Sequence, residues 1–114
     1  MFHYTDKDGW NAIRSPVDWR FEVRNPKDPS RPEGTYFTDI EPSEVNLRVL
    51  YKRIRVPREK QEYVFWFDGD EGLIQLNDGM GRDKRIFFSP IDYVVVPARQ
   101  QYEGPTSVLS EKFP

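Results

Sequence analysis

EYVFWFDG, residues 62–69, decides how this chain is read. Aromatic and β-branched residues follow one another without a helix former among them, which is the composition of a strand. The apolar run is nearly continuous rather than alternating, so the strand is expected to be covered on both faces. A strand of that kind needs neighbours, and the search for them runs outward in both directions. On its C-terminal side, GLIQLNDGMG is a short segment and a turn-rich loop. KRIFFS (84–89) and IDYVVVP (91–97) read as two further strands interrupted by Pro90, a residue that lacks an N–H and is confined to edges and bulges. The tail ARQQYEGPTSVLSEKFP carries little pattern.

On its N-terminal side, DWRFEVR (18–24) alternates Trp19, Phe21 and Val23 with charged residues, as a half-buried strand does. FHYT is a short strand, with DKDG as its turn. WNAIRS can form a short helix with Trp10 and Ile13 on one side, and Pro16 ends it. NPKDPSRPEG (25–34) is a surface loop. TYFTD (35–39) is a strand or its exit, and IEPSEVNLRVLYKRI is ambiguous between helix and strand. About six short strands with one or two short helices make an α+β domain, dominated by a mixed or antiparallel sheet.

The chain has 114 residues, the size of one domain, so 1–114 is taken as a single unit. Aromatics make up 15% of it, and their large rings can supply the buried area that a 37% hydrophobic content otherwise limits. The net charge of −2 gives no overall footprint for duplex DNA or a membrane surface. YKRIRVPREK (51–60) is locally different, with five basic residues and one acidic. It reads as a solvated edge and turn, or as a contact for phosphate or an acidic partner. Having no cysteine, the chain has no disulfide framework and no thiolate nucleophile. No apolar run is long enough for a transmembrane helix, and MFHYTDKDG is too short and polar for a signal peptide. Cytoplasmic and secreted locations both stay open.

With one histidine, a His-rich metal centre is excluded, and no metal is expected. No serine sits in a nucleophile elbow, and there is no phosphate loop or G-x-G-x-x-G. DGDEG (68–72) and NDG (77–79) have the look of turns rather than a calcium loop. Three places remain. His3 and Thr5, two apart on a strand, share a face. Tyr36 follows a glycine at strand entry, and Asp92 opens a β-branched strand, where an inward carboxylate needs a partner. Each also has a plainer reading: a satisfied edge histidine, a core aromatic, a turn carboxylate.

The ordered set FHYT, EGTYFTD and SPIDYVVV resembles the three-motif signature of the ADP-ribosyltransferases. The similarity is to the His-Tyr-Asp, toxin-like subclass related to the diphtheria-toxin and poly-ADP-ribose polymerase branch, in which Asp stands in the usual place of Glu. It spans about residues 2–102 and includes DGWNAIRS and the stretch from RIRVP through EYVFWF to IDYVVV. The resemblance implies a catalytic domain that cleaves the nicotinamide–ribose bond of NAD and transfers ADP-ribose to a macromolecular acceptor, protein or nucleic acid. It implies that His3 bonds the adenosine-side ribose, that the Tyr4 backbone holds the nicotinamide amide with support from Thr5, and that Tyr36 stacks on the nicotinamide ring. Asp92 would accept a bond from the nicotinamide-ribose 2′-hydroxyl. NAD is then the co-substrate, a monomer is expected, and an immunity protein is a partner if the chain is a toxin.

Two departures from the wider superfamily shape the expectation. Asp92 is one methylene shorter than glutamate, which tells against polymer elongation. Pro90 stands where relatives of the other branch carry a Glu or Gln that engages the acceptor. Water could then be the acceptor, which makes an NAD glycohydrolase the alternative. A non-catalytic, β-rich binding module is the reading from another class.

Overall fold

The computed structural model describes residues 1–24, 32–42, 61–76 and 85–110. The basic stretch 51–60, the loop 25–31 and most of the ambiguous segment after Ile40 lie outside the described residues. The chain runs β1 (Phe2–Thr5), α1 (Lys7–Arg14), β2 (Trp19–Phe21), β3 (Thr35–Thr38), β4 (Tyr63–Phe67), β5 (Ile74–Gln75), β6 (Ile86–Ser89), β7 (Tyr93–Val95), a 3-10 turn at Pro97–Arg99, β8 (Gln100–Pro105) and α2 (Thr106–Ser110). Six strands form one sheet in the order β5-β6-β3-β1-β4-β8, and β2 and β7 form a second. The recorded pairings are antiparallel, and the architecture is α+β.

β4 explains why its sequence does not alternate. It lies between β1 and β8, and both its faces are covered. Val64 points into a cluster with Phe2, Tyr4, Ile40, Ile86 and Leu109. Phe65 and Phe67 point the other way, into a cluster with Trp19, Phe21, Phe37, Tyr93 and Val95. That second cluster is the seam between the two sheets. The short sheet supplies its inner face as alternate residues, in the register Trp19↔Val95 and Phe21↔Tyr93. The rings meet edge to face, Phe21 on Phe65 at 5.5 Å and 86° and Phe37 on Phe67 at 5.4 Å and 90°, the arrangement that the ring quadrupole favours.

DKDG is not a turn. Asp6 caps α1, its Oδ1 accepting the Gly9 N–H at 2.8 Å, so the helix begins at Lys7. The capping bond satisfies a donor that the first helical turn leaves orphaned, and it outweighs the turn-forming tendency of the dipeptide Asp-Gly. α1 then lies over the end of β4, with Trp10 stacked on Tyr63 at 4.4 Å and its Nε1 donating to Glu103. The tail is also more ordered than its pattern implies. β8 pairs along β4 from Tyr63↔Pro105 to Phe67↔Gln100, and α2 buries Leu109 fully in the first cluster. An edge strand is held by its neighbour's peptide groups, which leave no hydrophobic alternation to read.

Gly34 sits just before β3, where the backbone of β6 comes close. A Cβ there would stand 2.7 Å from the Ser89 carbonyl oxygen and 3.2 Å from Phe88 Cδ2. Gly34 also exchanges two backbone bonds with Arg24, at 3.1 and 3.3 Å, which tie the exit of β2 to the entry of β3. We expect Gly34→Ala to lower stability by about 1–3 kcal/mol, the usual cost of forcing an extra methyl into a packed site. A denaturant titration with an unchanged midpoint would show that the β3–β6 approach yields freely.

Candidate functional site

β1 is an interior strand, so its one histidine is not an edge residue. The Met1 amine donates to the Phe67 carbonyl at 2.8 Å and the Phe67 N–H donates to the Met1 carbonyl at 3.0 Å. Backbone groups alternate in direction along an antiparallel strand, so the peptide groups of Phe2 and Tyr4 face β3. Side chains alternate likewise. Phe2 and Tyr4 enter the first cluster, where the Tyr4 hydroxyl donates to the Ile40 carbonyl at 2.8 Å. His3 and Thr5 take the other face, toward α1 and the short sheet.

His3 is half-buried, with its ring 4.9 Å from Phe21 and 5.5 Å from Phe37. Its Nδ1 lies 2.8 Å from the Tyr36 carbonyl oxygen. A carbonyl can only accept, so Nδ1 carries the proton, and in the neutral imidazole Nε2 is left as an acceptor. Burial pushes the His3 pKa below its usual 6.5, against a smaller opposing pull from the Tyr36 carbonyl. The neutral, acceptor form is therefore the one present at physiological pH.

A cleft of about 740 Å³ opens beside this ring. Its lining includes His3, Thr5 and Tyr36 together with Gly9 of α1 and Phe21 of β2. Three residues suggested by the sequence thus meet in one place. Tyr36 does so in an unexpected way. Its partner across the sheet is Phe88, and its ring stacks on Phe88 at 5.8 Å, on the face opposite the imidazole. Its hydroxyl donates to the Pro32 carbonyl, so the ring is fixed at both ends. The direct link between His3 and Tyr36 is the carbonyl.

Asp92 lies just before β7, on the short sheet. Its Oδ1 accepts the Val23 N–H at 2.9 Å, and its Oδ2 accepts from Arg20 Nη2 at 2.8 Å. The Val23 N–H first, and the Arg20 guanidinium next, hold the Asp92 carboxyl below the usual carboxylate range. It is ionised at neutral pH and has the partners that the sequence reading said it would need. The cleft wall on this side is made by Arg20, Glu22 and Arg24, and Asp92 stands one contact behind it, through Arg20.

Arg20, Glu22 and Arg24 are cleft residues that the sequence reading missed. They stand at alternate positions of DWRFEVR, and the same alternation that marked Trp19, Phe21 and Val23 could have marked them as one face. Among the described residues, no group of three or more His, Asp or Glu is placed to hold a metal ion, and no helix is long and apolar enough to cross a membrane.

A family model described as "HYD1 signature containing ADP-ribosyltransferase" matches residues 1–89. The match takes in FHYT, the EGTYFTD motif and β4, and stops three residues before Asp92. No curated protein and no solved structure matched the chain.

Proposed function

Because the chain belongs to the ADP-ribosyltransferase family that carries the HYD1 signature, we propose that it is an NAD-dependent mono-ADP-ribosyltransferase. The observation that carries this reading is the fixed imidazole: Nδ1 is tied to the Tyr36 carbonyl, and Nε2 is left as an acceptor beside a cleft. The cleft volume lies within the range of about 300–1,000 Å³ common for small-ligand sites. NAD is the substrate that breaks. His3 Nε2 accepts from a hydroxyl of the adenosine-side ribose, and the Tyr4 peptide, which faces β3, holds the nicotinamide amide with Thr5 in support. The resemblance gives Tyr36 the nicotinamide ring as a stacking partner; in this structure its ring lies against Phe88 across the sheet from the imidazole, and what Tyr36 brings to the cleft is the carbonyl that orients His3. Asp92 accepts from the 2′-hydroxyl of the nicotinamide ribose.

As the C1′–N bond breaks, nicotinamide leaves with the bonding electrons and positive charge spreads over the ribose. A carboxylate already in place gains most as that charge develops, so it lowers the barrier more than it tightens binding. The acceptor's nucleophilic atom then bonds to C1′ and its proton passes to bulk water. With Pro90 two residues before Asp92, that place brings no side chain to the acceptor, and this favours water as the acceptor in a second reading, NAD glycohydrolysis.

Incubation with NAD labelled on its adenylate half tests both. Nicotinamide release with label on protein or nucleic acid supports transfer. Label found only as free ADP-ribose favours the glycohydrolase, and no release at all defeats the enzyme reading.

The protonation states set the pH response. The His3 pKa is lowered on folding, so the neutral ring contributes stability that is fully present above its unfolded value of about 6.5 and is lost as pH falls through the folded value. Asp92 is held ionised further into acid. We expect kcat/KM for nicotinamide release to stay level from pH 8 down to about 6.5 and to fall only below it, when Nε2 gains a proton and can no longer accept. A profile already falling between pH 8 and 7 would contradict a neutral His3 as the ribose acceptor.

A further inference from the structure

The proposal that follows rests on the NAD reading above and concerns what holds the diphosphate. Arg20 has two faces in this structure. It lines the cleft, and it is also the partner of Asp92, at 2.8 Å. The pair is open to solvent, with side-chain exposures of 56% for Arg20 and 35% for Asp92. Ion pairs so exposed are weak, because water competes for both charges. A diphosphate is a stronger partner for a guanidinium than a lone carboxylate, since its oxygens match the planar fork two at a time. Asp92 does not depend on Arg20 for its position, because its other oxygen is held by the Val23 N–H at 2.9 Å.

We propose that Arg20 is an exchange latch. In the ligand-free protein it is held by Asp92, and on NAD binding it passes to the diphosphate. The transfer binds the dinucleotide. It also uncovers one oxygen of Asp92 at the moment the nicotinamide ribose arrives, while the Val23 N–H keeps the carboxylate in place. Arg20 is thus a specificity residue for the diphosphate and, in the ligand-free protein, the group that masks one oxygen of Asp92.

ADP-ribose binding by calorimetry tests this, with nicotinamide riboside as the probe that has no diphosphate. We expect Arg20→Ala to weaken ADP-ribose by about tenfold or more, as loss of a charged hydrogen bond does, and not to weaken nicotinamide riboside, which has no diphosphate and meets an Asp92 already uncovered. Arg20→Lys, which keeps the charge but not the fork, should recover part of the loss. Asp92→Asn releases the latch and should tighten ADP-ribose by about two- to fivefold, the worth of an exposed ion pair. In the Arg20→Ala background the same change should bring no such gain, because nothing remains to release. Equal ADP-ribose affinity in wild type and Arg20→Ala overturns the latch. So does a gain from Asp92→Asn that persists without Arg20, which would mean simple charge repulsion. If the wild-type protein releases nicotinamide and binds ADP-ribose, either result counts against the latch alone. If it does neither, the NAD reading falls and the latch with it.

Discussion

Replacing Asp92 with alanine is expected to lower kcat for nicotinamide release by about a hundred- to a thousandfold, the loss seen when a preorganised group facing transition-state charge is removed. The KM for NAD should move much less, and ADP-ribose should bind no more weakly. The split follows from where the carboxylate acts. In the mechanism proposed above it meets the ribose as the nicotinamide departs and the ring becomes cationic, and it has little to attract before that. Asp92 has the features this requires, being ionised at neutral pH, fixed by the Val23 N–H and adjacent through Arg20 to the cleft. The control is Glu22→Ala. Glu22 lines the cleft and lies inside the segment matched by the family, whereas Asp92 lies beyond its end. Full turnover in Asp92→Ala, with turnover lost in Glu22→Ala, would transfer the role to Glu22.

Phe21→Ala should be the most damaging change to the fold. Phe21 is 1% exposed and touches both sheets, with ring centroids 5.0 Å from Phe37, 5.5 Å from Phe65 and 6.0 Å from Phe67. Removing a buried phenyl costs about 3–5 kcal/mol, because the cavity left behind collapses only in part. A domain of this size has a total stability of about 5–15 kcal/mol, so the variant should sit near the threshold of folding. Its thermal midpoint should fall by at least about 10 °C. Phe21→Leu keeps most of the volume and should recover most of the loss. The same ring is the wall against which His3 rests, at 4.9 Å. In Phe21→Leu we therefore expect NAD affinity to drop more than stability does. A Phe21→Ala protein that melts with wild type would show that the seam between the sheets is not what holds them together.

The residues themselves announced some of this. β4 was legible because five aromatic and β-branched residues in a row have few conformations other than a strand, and their unbroken hydrophobicity requires cover on both faces. β2, β6 and β7 were legible from composition and alternation for the same reason, since a side chain's direction on a strand follows from its position alone. The shared face of His3 and Thr5 and the need of Asp92 for a partner also came from the sequence.

What it did not contain was anything settled by groups distant in the chain. β8 and α2 have weak patterns of their own and are held by β4. DKDG reads as a turn until Asp6 is seen capping a helix. The cleft depends on the register of Phe2 on Thr38, which aims the imidazole at the Tyr36 carbonyl and sends the Tyr36 ring to the far side of the sheet. It depends also on the pairing of β2 with β7, which brings Arg20 and Asp92 within 2.8 Å across 72 residues. Local sequence determined which strands could form and which face each residue takes, because those follow from sterics within a few bonds. The tertiary structure alone decided which charges meet, because that depends on contacts closed over long loops.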